Sequence, residues 1–445
     1  MWSVKFTGIA SGKNTVSATN DGDVMMTDKQ DNIHSRHSYD IIIVGAGLVG
    51  ASCAALLSQL QTNTHAGESR AALTIAIIDG GKPPVLPRFD QQLPVFDPRV
   101  VALTHASQGL FESLGLWDTI QTQRACGYKK MHVWDDEGTA SIDFNAADVQ
   151  QQHLGHIVEN SVLQCAVVDF IEQQKNLTLM RGISVTALEK HNAMTTVVCS
   201  DGTQLSAPLI IAADGGQSKI RELANINVRE WDYQHKAIVA TVQSSQSHQF
   251  TAWQNFLASG PLAFLPLDHQ SENYCSIVWS LDSEKADAMM ALNDDDFSIA
   301  LACAFESRLG QVVSVSQRYC FPLQQRHAID YSSDNVVLIG DAAHTIHPLA
   351  GQGVNLGLLD AQTLAVEIKR AVVRDLILSE PSILSRYQRQ RKANNIEAML
   401  LMEGFKRLFE SKQLLLRYLR NMGLRKVNGL KLLKNWLTKK AIKTL

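Results

Sequence analysis

The seven cysteines, at 53, 126, 165, 199, 275, 303 and 320, include no C-x-x-C pair. An odd, scattered set in a chain of 445 residues argues against a disulfide framework and predicts reduced, buried thiols in a cytoplasmic protein. The first 38 residues lack the charged start, apolar centre and cleavage site of a signal peptide. They read as a flexible leader, with Met25 or Met26 as alternative starts. The most membrane-like run, IIIVGAGLVGASCAALL at 41–57, is too short and too glycine-rich to span a bilayer. Strong net charge is also missing: the formal value is −3. Its distribution is uneven, because residues 404–445 carry twelve Lys and Arg against the single acid Glu410. A basic tail on an acidic body predicts a local anionic contact and argues against a nucleic-acid-binding protein.

With 45% apolar and 19% charged residues the chain can bury a large core, and its length suits two or three domains of about 150 residues each. From Tyr39 the segment YDIIIVGAGLVGASCAALLSQL reads as buried strand, tight turn and helix. Its glycines have separate tasks in a dinucleotide fold: Gly45 permits the turn, Gly47 lets a pyrophosphate reach the backbone, and Gly50 lets helix and strand pack closely. The helix N-terminus offers free N–H groups and a partial positive charge to that pyrophosphate. The motif calls for an acidic residue at the end of the second strand, and LTIAIIDGG supplies Asp79. Asp79 lies 29 residues past Gly50, beyond the usual ~20, and the polar run 62–69 reads as a loop insertion that accounts for the excess. A plain turn aspartate is the alternative reading of Asp79.

Two further glycine-aspartate signals follow. LIIAADGGQSKIRELANI, 209–226, reads as a strand ending at Asp214-Gly215 and a helix starting near Ser218 and Arg221. VVLIG, 336–340, is a buried strand that delivers Asp341 at the head of GDAAHTIHPLAGQGVNLGLLDA, 340–361. A metal site would need about three or four converging ligands, which His344 and His347 do not supply. A nucleotide-hydrolase phosphate loop needs a lysine after its last glycine, and none follows Gly353 or Gly357. A second nicotinamide fold would need its glycines directly off the strand, but Gly351 comes eleven residues after Gly340. What remains is a carboxylate at a strand tip, a proline turn and a helix opening at Gly351-Gln-Gly353. That arrangement suits a flavin: ribityl hydroxyls meet Asp341, and helix N–H groups stabilise the anionic edge of the reduced ring. Without side chains at 351 and 353 the backbone can touch the ring.

These three motifs, in this order over residues 39–425, resemble the single-component FAD-dependent aromatic hydroxylases of the para-hydroxybenzoate hydroxylase class. DPRVVALTHAS (97–107), HLGHIVENSVLQ (153–164), WDYQHKAIVATV (231–242), GPLAFLPL (260–267) and CSIVWSL (275–281) resemble its ubiquinone-biosynthesis group. Within it the chain looks most like the hydroxylases of 2-polyprenylphenols, and next like those of 3-demethoxyubiquinol. The middle motif reads AADGGQS where the family usually has GADGANS.

The resemblance implies an α/β chain: a Rossmann-like, glutathione-reductase-type FAD-binding domain (39–225 and 320–375), an inserted β-sheet substrate domain (226–319) and a helical C-terminal segment (376–445). It further implies that Gly45, Gly47, Gly50 and Asp79 hold the ADP half of FAD. Arg99 would reach the cofactor phosphates or ribityl chain, and Gln164 would line the same channel. Asp214 and Gly215 would serve both FAD and the nicotinamide donor, Asp341 the ribityl chain, and Gly351, Gly353, Val354 and Asn355 the flavin ring. NADPH or NADH would reduce the flavin, which would take up O2 as a hydroperoxide and hydroxylate a polyprenylated phenol. No catalytic acid or base and no metal ligand is implied. Other ubiquinone-biosynthesis proteins are expected partners, with a peripheral inner-membrane lipid contact through 404–445.

Plainer readings stand beside these roles. Arg99 suits a surface turn, Gln164 a helix surface, and His344 and His347 suit packed histidines; Trp253, Phe264 and Trp279 suit core aromatics.

Overall fold

Four apolar residues without a charge, Ile41–Val44, form a strand with every residue buried. Such strands need cover on both faces, which a parallel sheet provides. The computed structural model describes residues 37–61, 72–86, 95–136, 141–345 and 353–410, together with 430, 434–436, 438 and 439. Within it Ile41–Val44 lies in a six-stranded sheet ordered Ser332–Ser333, Val336–Leu338, Leu209–Ala212, Ile41–Val44, Ile75–Asp79 and Leu177–Arg181. All pairs but the first run parallel, with Ile43 opposite both Ile77 and Ile211. The carboxyl ends of these strands therefore lie side by side, and each of the three motifs begins at one of them. One face is covered by the helices Leu48–Ser58 and Gly353–Val373. A four-stranded sheet contributes Val185, Val197, Leu205 and Ala207 to the same core. Its edge strand His37–Ser38 pairs with Leu205 and Ser206, so two residues expected in the leader are structured.

A nine-stranded mixed sheet draws strands from both sides of 226–319. Its order runs from His344–Thr345 through Tyr319–Ala328, Val228–Ser244, Tyr274–Asp282, Gly260–Pro266, Thr251–Leu257 and Lys130–Asp135 to Ser141–Asn145, with Val312–Val315 beside Val228–Ser244. Alternation gives it two apolar faces. Leu262, Phe264, Ile277 and Trp279 pack with Phe297 and Leu301 of the helix Asp294–Ala304. Ala263, Leu265 and Tyr274 pack the other way, against Cys126 and Ile157 of a three-stranded sheet.

The expected mixed α/β architecture is present. Among the described residues no helix is long and apolar enough to cross a membrane. Five of the cysteines are buried as expected, but Cys303 is exposed and Cys320 half-buried. Residues 1–36 of the expected leader, Met25 and Met26 among them, all of the 62–69 insertion, His347 and Gly351 lie outside the described residues.

Candidate FAD site at the strand tips

The chain turns sharply after Val44 because Gly45 adopts φ +105°, a region that L side chains rarely enter. A Cβ on Gly45 would lie 2.3 Å from the Ala213 carbonyl oxygen, and one on Gly50 would lie 2.0 Å from the Gly45 carbonyl oxygen. Those two glycines serve packing. Gly47 differs: a Cβ there would meet nothing within 4 Å. It precedes the helix Leu48–Ser58, whose first turn holds no acidic residue and whose N-cap makes no side-chain hydrogen bond. Open backbone, unpaired N–H groups and a helix dipole fit a pyrophosphate.

Asp79 ends its strand beside this turn. Its Oδ2 accepts from Ala46 N, and its Oδ1 accepts from Gly81 N at 2.5 Å. From another direction Gln164 Nε2 donates to Ala46 O at 3.1 Å. Gln164 sits on the helix Asn160–Glu172, where the Asn160 amide donates to Arg99 O at 2.9 Å. Asp97 fastens that corner, accepting from Arg99 N at 2.8 Å and from Ser161 N at 3.0 Å. The Arg99 side chain is exposed. The structure thus brings Arg99, Gln164, Asp79 and the glycine turn to one edge.

Beneath it, buried Glu159 accepts from Asp97 N at 2.6 Å and pairs with Arg124 at 2.7 Å. Burial pushes the Glu159 carboxyl up to about 7, outweighing the hydrogen bond from Asp97 and the charge of Arg124.

The middle motif turns inward. Asp214 accepts from Ser218 Oγ and from Ile220 N at 3.1 Å, so one carboxylate oxygen takes a helix N–H and the other holds the N-cap Ser218. Gly215, at φ +84°, has open space where a Cβ would be. Arg221 donates at 2.9 Å to Gly216 O and at 2.9 Å to Ala342 O, joining the middle motif to the late one.

Asp341 sits in the tight turn Gly340–Ala342 after Val336–Leu338. Surrounding protein pushes its carboxyl pKa up, His344 opposes that, and the charge of Asp360 adds to it. Opposite this turn the helix Gly353–Val373 begins, again without an acidic first turn. A Cβ on Gly353 would meet nothing within 4 Å, and Val354 is half-buried against the core. Asn355 is fully buried and its side chain is turned away: Nδ2 donates to Ala102 O at 2.8 Å, and Oδ1 accepts from Thr104 N at 3.1 Å. Its backbone, not its amide group, belongs to the helix start. One on Gly357 would lie 2.6 Å from Val49 Cγ2, so this glycine lets the two site helices meet.

Phe264 and Trp279 are core aromatics on the helix-covered face of the nine-stranded sheet, and Trp253 is half-buried beside them. His344 is packed as expected, against Asp360. Asp360 and Arg391, which sequence reasoning did not single out, form a buried ion pair behind Asp341. Spacing alone could not pair residues 31 apart on two helices. Among the described residues no cluster of His, Cys, Asp or Glu could hold a metal ion.

Two open helix starts, with the carboxylates Asp79 and Asp341 at the tips of two strands of one sheet, match what a flavin dinucleotide demands. Residues 38–399 match the family described as FAD binding domain, and the chain belongs to that family of FAD-dependent monooxygenases. It is 34% identical over 385 residues to the 3-demethoxyubiquinol 3-hydroxylase of Escherichia coli K12, covering 86% of this chain and 93% of that protein. It is 32% identical to the mitochondrial ubiquinone biosynthesis monooxygenase COQ6 of Xenopus tropicalis, covering 88% and 90%. The fold is shared with p-nitrophenol 4-monooxygenase PnpA from Pseudomonas putida DLL-E4, at TM-score 0.72 and 17% identity over 92% of this chain and 99% of that one.

Proposed function

We propose that this protein hydroxylates the aromatic ring of a polyprenylated phenol on the route to ubiquinone, using NADPH or NADH and O2. The observation that carries the reading is the pair of open helix starts, at Gly47 and Gly353, facing strand-tip carboxylates Asp79 and Asp341 in a chain whose relatives act on ubiquinone precursors. Bound flavin supplies the redox chemistry: it accepts a hydride and activates O2. The chain's own residues bind and orient. Gly47 and the N–H groups after it take the pyrophosphate, with Asp79, Arg99 and Gln164 at its side. Asp341 takes the ribityl chain, Gly215 leaves room beside it, and the 353–355 backbone meets the ring. The apolar layer in which Ala263 and Leu265 meet Ile157 keeps water away from the reacting ring.

A 3-demethoxyubiquinol substrate is a second reading, favoured by the Escherichia coli relative. Quinone-intermediate profiling in cells lacking the protein separates the two, because the precursor that accumulates names the blocked step. Labelled oxygen from O2 in a catechol-type product supports hydroxylation; unlabelled product or peroxide alone refutes it.

Residues 404–445 have two roles open to them under the same reading, lipid contact or packing on the body. Lys434 reaches Asp148 Oδ2 at 3.3 Å and Asn435 donates to Asp148 O at 3.0 Å, which favours packing. Leu430 and Trp436 are exposed. Deleting 426–445 and measuring liposome binding decides the matter: undiminished binding removes the lipid role.

A further inference from the structure

Behind Asp341 lies a buried charged cluster to which the reading above gives no task. Asp360 is fully buried in the middle of the helix Gly353–Val373. A carboxylate is held in such a place only when every oxygen finds a partner. Here Oδ2 accepts from His344 Nε2 at 2.5 Å and from Gly340 N at 3.0 Å. Oδ1 accepts from Arg391 Nε at 2.6 Å, with Asn395 Nδ2 at 3.4 Å. Burial alone would raise the Asp360 pKa, but the charges of His344 and Arg391 and their hydrogen bonds hold it below the ordinary carboxylate range.

The partners span three parts of the fold. Gly340 is the residue before Asp341. His344 is the edge residue of the nine-stranded sheet, opposite His327. Arg391 belongs to the helix Pro381–Glu410, and its Nη2 also donates to Leu356 O at 3.2 Å, in the first turn of the helix that starts at Gly353. Asn395, one turn further on, accepts from the same Nη2 at 2.9 Å and donates to Tyr331 Oη at 3.1 Å, and that hydroxyl lies 3.0 Å from His327 Nε2. Both halves of the flavin cradle, the Gly340–Asp341 turn and the helix start, are therefore tied to one carboxylate and one guanidinium.

We infer that Asp360 and Arg391 are positioning residues for FAD: Asp360 joins the Gly340–Asp341 turn to the helix that starts at Gly353, and Arg391 holds both that carboxylate and the first turn of the helix in place. This rests on the reading that FAD binds at those two elements. It gives the helix Pro381–Glu410 a part in cofactor affinity that it exerts through Asp360.

The test uses the full-length chain, stripped of flavin and titrated with FAD, with the flavin midpoint potential and the thermal midpoint of the apo-protein measured in parallel. Arg391→Met should weaken FAD binding by about tenfold, the worth of a buried charged hydrogen bond. It should also shift the flavin potential, and Arg391→Lys should recover part of both. Ile383→Val, a buried core change on the same helix, should lower the thermal midpoint yet leave FAD affinity within about twofold. A folded Arg391→Met variant with wild-type affinity and potential overturns the inference. If Arg391→Met does not fold, Asp360→Asn, which keeps the side chain's shape, is read by the same measurements and the same criterion. Asp341→Ala separates the layers. If it loses FAD while Arg391→Met does not, the positioning role alone is wrong; if it keeps full FAD occupancy, the underlying site assignment is wrong.

Discussion

At the tips of the six-stranded sheet there is no room for a Cβ on Gly45 or Gly50, whereas the nine-stranded sheet, Gly260 aside, is held by interchangeable layers of side chains. Phe264 stacks on Phe305 at 3.8 Å, and Leu262 and Trp279 continue the layer on the same face. The first region is specified by where the backbone goes, the second by how much apolar volume fills a gap. A dinucleotide must touch main chain, so its site tolerates few residue types at a few fixed spacings. A packed apolar layer tolerates many combinations of similar volume.

Gly45→Ala should have the largest effect. Positive φ and the clash with Ala213 act together, so the variant should lose roughly 3–5 kcal/mol of stability and its flavin. Denaturant unfolding and absorbance near the flavin band measure both; a loss under about 1 kcal/mol would contradict the backbone argument.

Next in size is a pH effect at two buried histidines, His156 in the three-stranded sheet and His327 in the nine-stranded one. Burial brings His156 and His327 down to about 4. The unfolded chain takes up these protons near the ordinary value of 6.5, the folded chain only near 4. Stability therefore falls as pH drops through that window, by up to roughly 3 kcal/mol for each. Glu159 works in the opposite sense: its raised pKa makes the fold gain stability as pH falls from about 7 toward the ordinary 4.5. Comparing wild type with His327→Gln isolates one group, and the variant should show the flatter profile. Identical profiles would mean His327 is not held neutral.

In the second region Phe264→Leu should cost roughly 1–2 kcal/mol, a core volume loss, and leave flavin content unchanged. Loss of flavin there would show that the two regions are not separable. Gly47→Ala completes the set with the smallest effect on stability, under about 1 kcal/mol, because its φ of −63° suits alanine and its Cβ meets nothing. FAD affinity should nevertheless fall by about tenfold, since the added methyl occupies the pyrophosphate's place. Calorimetric titration with FAD measures it, and unaltered affinity would move the pyrophosphate elsewhere.

The glycine turns, the strands before them and the acids at their tips were legible along the chain, since each motif depends on neighbours within a few residues. Gln164 was legible only through resemblance; its contact with Ala46 spans 118 positions. The Asn355 side chain could not be assigned at all from local pattern, since its partners Ala102 and Thr104 lie 253 and 251 residues away. The same holds for the parallel pairing of Lys130–Asp135 with Thr251–Leu257, which places an early segment in the larger sheet.

The α/β class, the FAD-binding family and the places where the backbone is left open could be read along the chain, because a missing Cβ and a helix dipole act locally. Tertiary structure alone decided which side chains those positions lean on. The Asp360–Arg391 pair, the inward turn of Asn355 and the hold of Asp214 on Ser218 and Ile220 arise from groups driven to find partners when buried. Which partner is within reach is set by how helices and sheets pack, and no spacing in the chain records it.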